Sequence, residues 1–136
     1  MNIEVTGTAV PRLTRRDIAA FVRRVLLALR KDEDISDVSI AIVDDEAMKN
    51  LNRKFRHKNR TTDVLTFPGE GAFLGDIVVS IDQARRQALD EKHSVATEVR
   101  YLLLHGVLHA LGYDHETDNG EMNALELKVR AKVGLE

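Results

Sequence analysis

The segment from Ser94 to His115 says more about the architecture of this 136-residue chain than any other stretch. Ser94 is a good N-cap, Thr97 and Glu98 fall in the first turn, and Val95, Val99, Leu102, Leu103 and Leu108 recur at helical spacing. A helix is therefore predicted from Ser94 to Leu111, with Gly112 in the left-handed position that follows a helix end. His105 and His109 stand four residues apart on it, so both imidazoles can aim at one point. The turn at Gly112 lets His115 return as a third nitrogen donor. Three imidazoles leave a fourth tetrahedral position for water, the arrangement of a catalytic zinc; zinc so held lowers the pKa of that water to roughly 7. One histidine on an apolar helix face is ordinarily a packed core residue. Three of them, with a helix-ending glycine between the second and third, point to a metal site.

The spacing is that of the extended zincin peptidase motif, H-E-x-x-H-x-x-G-x-x-H. The general base of that motif follows the first histidine, and here the position is Gly106, which can neither accept nor deliver a proton. The reading is a metal-dependent hydrolase without the peptide-cleaving base. One Zn2+ ion suits the histidine ligands, although nickel and copper bind such sites too.

The rest of the chain alternates strand and helix signals. Ile3 to Thr6 reads as a strand, and Thr14 caps a helix from Arg15 to about Lys31 whose Ile18, Phe21, Val22, Val25, Leu26 and Leu29 form one apolar face. Val38 to Val43 is a strand, and Asp44 caps a helix from Glu46 to about Phe55. Asp63 to Phe67 is a strand, the stretch to Gly75 a loop, and Asp76 to Ser80 a strand. Helices follow from Asp82 to about Asp90 and from about Asp118 to Val133. The predicted class is α+β (α/β-like): a small four-stranded mixed sheet packed by about five helices, one of them a zincin-like metal helix, in a single domain spanning 1–136.

With 43% apolar residues the chain can build one core, which must be aliphatic because aromatics are only 4%. No cysteine is present, which removes disulfides, Fe–S clusters, thiolate zinc sites and cysteine nucleophiles, and suits the reducing cytoplasm expected for the chain. No apolar run is long enough for a membrane span, and Met1 to Val10 lacks a signal-peptide pattern. The net charge of −2 does not announce a nucleic-acid binder, but Arg53, Lys54, Arg56, Lys58 and Arg60 crowd into one segment.

Several blocks together resemble one family. His105 to His115 fits the H-G-x-L-H-x-x-G-Y-D-H signature of the YbeY-type endoribonucleases, bacterial ribosomal-RNA maturation factors. Thr62 to Pro68 is similar to its T-D-V-L-S-F-P block, with Thr66 in place of the usual Ser. Leu51-Asn52 with Phe55-Arg56 matches L-N-x-x-[FY]-R, and Gly75-Asp76-Ile77 with Ser80 matches G-D-I-x-x-S; the matched order runs roughly from residue 38 to 126. The resemblance implies a zinc-dependent, single-strand-specific endoribonuclease acting in 16S rRNA 3′-end maturation and ribosome quality control. It carries the metal ligands onto His105, His109 and His115 and the functional arginine onto Arg56. The implied partners are single-stranded RNA and rRNA, the ribosome or its small subunit, and ribosome-associated proteins that the acidic C-terminal helix can bind.

Arg56 is expected to bind the scissile phosphate and offset its developing charge, the alternative being a solvated loop arginine. Lys54, Lys58 and Arg60 can track an RNA backbone or simply cap a helix end. Phe55 and Phe67 are expected to pack in the core, with base stacking as their other use. Asp114 either orients a histidine or ties the turn, Tyr113 is expected to pack, its other use being a hydrogen bond donated near the metal, and Asp63 and Asp76 are expected to cap strand ends or, less often, to face the cleft. Three other functions fit parts of the pattern: a metallopeptidase, a ribosome-assembly adaptor with a structural zinc, and a hydrolase of small molecules.

Overall fold

The computed structural model describes residues 1–114 and 116–135. Its elements are β1 (Asn2–Gly7), α1 (Arg15–Ala28), β2 (Asp37–Val43), α2 (Asp45–Arg56), β3 (Val64–Pro68), β4 (Phe73–Ser80), α3 (Ile81–Glu91), α4 (Val95–Ala110) and α5 (Glu121–Lys132). The strands form one mixed sheet in the order β1-β2-β4-β3. β2 runs parallel to β1 and to β4, while β3 is antiparallel to β4 and forms one edge. The α+β class expected from the sequence, with a four-stranded mixed sheet and five helices, is the one observed.

Local chemistry sets most boundaries. Thr14, Asp44 and Ser94 cap their helices as predicted, accepting from the backbone N–H groups of Asp17, Ala47 and Thr97. Asp17 returns the bond to the Thr14 N–H at 2.9 Å, completing a capping box, and the Thr14 backbone and hydroxyl bonds hold its carboxyl below the ordinary carboxylate value.

Three boundaries differ from the sequence reading by three residues each. α1 stops at Ala28 instead of Lys31, because Arg30 turns left-handed (φ 57°) and the Lys31 N–H bonds back to the Leu26 carbonyl. β4 starts at Phe73, so the glycine stretch read as loop is partly strand. Gly75 (φ +138°) lies so close to the opposite strand that a Cβ would meet the Phe67 carbonyl oxygen at 2.4 Å. Ser80 closes β4 and also caps α3, accepting from the Gln83 N–H at 3.2 Å. α5 starts at Glu121, while Asp118, read as its first residue, accepts from the Gly120 and Met122 N–H groups ahead of it.

Strand periodicity divides the core in two. Val38, Ile40, Ile42, Ile77 and Val79 face α1 and α4. The alternate residues Ala41, Val43 and Val78 face α2, packing with Met48 and Leu51 and with Leu65 and Phe67 of β3. α4 lies on β3 and β4 with Val99, Leu103, Leu104, Val107 and Leu108 fully buried. Each buried leucine contributes about 1.5–3 kcal/mol. The seat is close at Gly106: a Cβ there would stand 2.6 Å from Ile77 Cγ2 and 3.4 Å from Thr66 Oγ1 and Val64 Cγ2. The Thr66 hydroxyl donates to the Gly106 carbonyl at 3.3 Å, a bond that serine in the related motif can also supply. Among the described residues no helix is long and apolar enough to cross a membrane.

Candidate metal centre and RNA cleft

The end of α4 is closed by two backbone bonds, Gly112 N–H to His109 O at 2.9 Å and Tyr113 N–H to Leu108 O at 3.0 Å, with Gly112 at φ +99°. This is a Schellman ending, and the glycine takes the position predicted for it. Tyr113 then packs on the main core, as expected.

His105 and His109 stand on the last two turns of α4, both half-buried. Their Nε2 atoms are 3.0 Å apart and their rings lie at 76°. Two zinc–nitrogen bonds at a tetrahedral angle set their nitrogens roughly 3.3 Å apart. The pair is thus spaced to share one cation. The outer nitrogen of His105, Nδ1, faces Glu126 Oε1 of α5 at 3.4 Å. Donation from Nδ1–H to that carboxylate leaves the Nε2 lone pair directed at His109, the tautomer a metal ligand requires. Sequence reasoning missed Glu126. It lies in no metal motif, and only the docking of α5 on α4 brings it to His105. Among the described residues no three of His, Cys, Asp and Glu gather as a ligand set. The third predicted ligand, His115, lies outside the described residues.

Both histidines open on a cleft of about 690 Å3 that runs along the free edge of β3. Arg56, Lys58 and Arg60 line it, together with His105, His109, Asp114 and Glu116. Arg53 and Lys54 are not among its lining residues: Arg53 donates to Asn50 Oδ1, and Lys54 Nζ sits 5.3 Å from the Phe55 ring centroid. Asp63 lines the cleft while accepting from the Val64 N–H and from Gln87 Nε2, so it caps the strand end as well; Asp76 is not among the lining residues. Asp114 ties the turn through a bond from the Glu116 N–H at 3.0 Å.

The basic loop is pinned from two sides. His57 is left-handed (φ 56°), and its N–H and that of Lys58 both donate to the Asn52 carbonyl. The Asn52 side chain, only 3% exposed, donates to the Arg60 carbonyl at 2.8 Å. One residue thereby holds both limbs of the turn that presents Lys58 and Arg60. The second anchor is Asp45, which accepts from Thr61 Oγ1 (3.3 Å), Ser80 Oγ (3.2 Å) and Arg86 (2.6 Å).

Partial burial pushes the Asp45 pKa up, but the Arg86 hydrogen bond and charge, with the Ser80 and Thr61 hydroxyls, outweigh it and hold the group below 3.8. A depressed carboxylate stabilises the fold above its unfolded pKa, and that contribution disappears as pH falls through the folded value. Asp45→Asn is therefore expected to melt below the wild type at neutral pH. The gap should close in acid, below the ordinary carboxylate range; thermal melts across that range check it, and a constant gap would refute the charge-based account.

Phe67 is half-buried against the α2-side cluster, as expected. Phe55 is not in the core: it is 52% exposed. The last turn of α2 reaches the sheet edge, where Phe67 of the edge strand meets the Phe55 ring in an edge-to-face pair at 5.3 Å and 71°.

Known proteins align with this chain over nearly its whole length. The family model described as Endoribonuclease YbeY matches residues 4–134. Endoribonuclease YbeY of Nautilia profundicola is 53% identical over 102 residues, which cover 73% of each chain. That of Solibacter usitatus is 44% identical over 133 residues, 96% of this chain and 88% of the relative. The solution structure of TM1509 from Thermotoga maritima superposes with a TM-score of 0.66 at 27% identity, covering 96% of this chain and 88% of that one. With the metal-motif helix, the edge-strand cleft and the basic loop all carried on a sheet of this topology, the chain belongs to the endoribonuclease YbeY family.

Proposed function

We propose that this chain is a zinc-dependent endoribonuclease that cuts single-stranded RNA, working in the cytoplasm on the 3′ end of 16S rRNA and in ribosome quality control. The whole chain, 1–136, acts as the one catalytic domain, and its partners are the small ribosomal subunit and proteins associated with it. The observation that carries the reading is that paired imidazoles and three cationic side chains line one cleft.

His105, His109 and His115 are the proposed ligands of one zinc ion, a donor set that fits the observed spacing of the first two. Such an ion, when bound, polarises a phosphoryl oxygen and lowers the pKa of water. The chain's own groups do the rest. Glu126 fixes the ring and tautomer of His105. The planar guanidinium of Arg56 engages two oxygens of the scissile phosphate and offsets charge developing there. Lys58 and Arg60, held by Asn52, take flanking phosphates. Gly106 offers no base for peptide cleavage, which sets the peptidase reading aside.

The test is zinc-loaded protein with end-labelled single-stranded RNA and its duplex. Cleavage of the single strand alone, abolished by a chelator, is expected. Arg56→Ala should slow it by roughly 100-fold or more. Equal cutting of the duplex would remove strand specificity, and an unimpaired Arg56→Ala would remove the phosphate role. A 2′,3′-cyclic phosphate on the product would exclude direct attack by water.

A further inference from the structure

An exposed phenylalanine is ordinary on a protein surface. The surroundings of Phe55 are not. Phe67 supports its ring edge-to-face, and Lys54 Nζ lies 5.3 Å from the ring centroid. The next residue, Arg56, lines the cleft, as do Thr66 and Pro68 on either side of Phe67. Neither ring lines the cleft itself, and Phe67 faces the α2 side of the sheet; the half-exposed Phe55 ring stands beside the cleft, one residue from the cation assigned to the phosphate. Packing does not demand it there: the ring is 52% exposed, while Met48 and Asn52 of the same helix are the buried pair.

Nucleic-acid channels that take single strands combine cations along the backbone with aromatic faces on which bases stack. We propose that Phe55, braced by Phe67, is a stacking subsite for one unpaired nucleobase adjoining the phosphate at Arg56. Lys54 Nζ stands over the ring, 5.3 Å from its centroid, within reach of a phosphate of the stacked nucleotide. The inference rests on the RNA-cleavage reading and gives it a structural origin for strand choice. A base inside a duplex is already stacked on both faces and has none to offer the ring, whereas a base in a single strand turns out at little cost.

The decisive experiment measures binding and cleavage of short single-stranded RNAs in which one abasic residue is walked across the cut site. With zinc-loaded wild type, one position beside the cut should raise KM on the order of 10-fold and leave kcat nearly unchanged. Phe55→Leu should raise KM for intact RNA by a similar factor and be indifferent to the abasic residue at that position. Phe55→Trp should restore both the affinity and the sensitivity. If no abasic position matters to the wild type, or if the Phe55→Leu loss is the same on intact and abasic RNA, the subsite is disproved while RNA cleavage stands. If the wild type neither binds nor cuts any of these RNAs, the underlying reading fails and the subsite with it. The abasic walk on the wild type needs no variant, so a folding defect in Phe55→Leu would not shelter the proposal.

Discussion

His109→Ala is expected to abolish zinc-dependent RNA cleavage and leave the protein folded. His109 Nε2 lies 3.0 Å from His105 Nε2, where the proposed zinc would be shared, and the buried contacts of α4 are made by its leucines and valines. Alanine is also the better helix former, so the apo variant should melt near the apo wild type. A ligand bound only by the native state raises its stability with concentration. Zinc should therefore raise the melting temperature of the wild type and not that of His109→Ala. Glu126→Gln calibrates the loss: removing a carboxylate that only orients a ligand costs roughly 10- to 100-fold in metal affinity. His109→Ala must exceed that in a competition titration against a chelator. A His109→Ala protein that still cuts RNA, or is still stabilised by zinc, would place the chemistry elsewhere.

The largest effect on stability is expected from Gly106→Ala. On an exposed helix this change would gain about 1 kcal/mol. Here the new methyl would stand 2.6 Å from Ile77 Cγ2, well inside contact distance. Ile77 is fully buried, stiff at χ1 because it is β-branched, and held in β4 between β2 and β3. It cannot swing away. The helix must lift or the sheet must bend, and overpacking of this kind costs about 1–3 kcal/mol. A urea titration should show a lower midpoint for the variant. Ile77→Ala should then cost less in the Gly106→Ala background than in the wild type, because the two changes share one contact. A midpoint equal to wild type would mean that α4 does not sit on the sheet as closely as described.

What the sequence made legible was local. The caps at Thr14, Asp44 and Ser94 and the stop at Gly112 are written within four residues of where they act. The His105/His109 pair lies on one helix, where spacing alone sets geometry. The illegible features depend on which elements dock together. Glu126 meets His105 only because α5 returns to α4, and Asn52 grips Arg60 only because the chain after α2 folds back. Phe55 shares a helical face with buried Met48, so its period reads as core. Its exposure follows from β3 being the edge strand, and hydrophobic period does not encode strand order. Ser80 shows the same limit at smaller scale. It was legible as a strand end, but its bond to Asp45 joins elements far apart in the chain.

The closeness of α4 to the sheet has a bearing on how such a site can change occupation over evolutionary time. The histidine spacing is shared with zinc peptidases, and a single replacement at position 106 would restore their motif on paper. Gly106, however, faces Ile77, Thr66 and Val64, so a glutamate side chain introduced there would be driven into the sheet and not toward the cleft. Seating that carboxylate would require the helix to rise or the facing strand residues to give way. A chain carrying that replacement would lose stability before it gained a base, which sets a steric barrier between the two motifs.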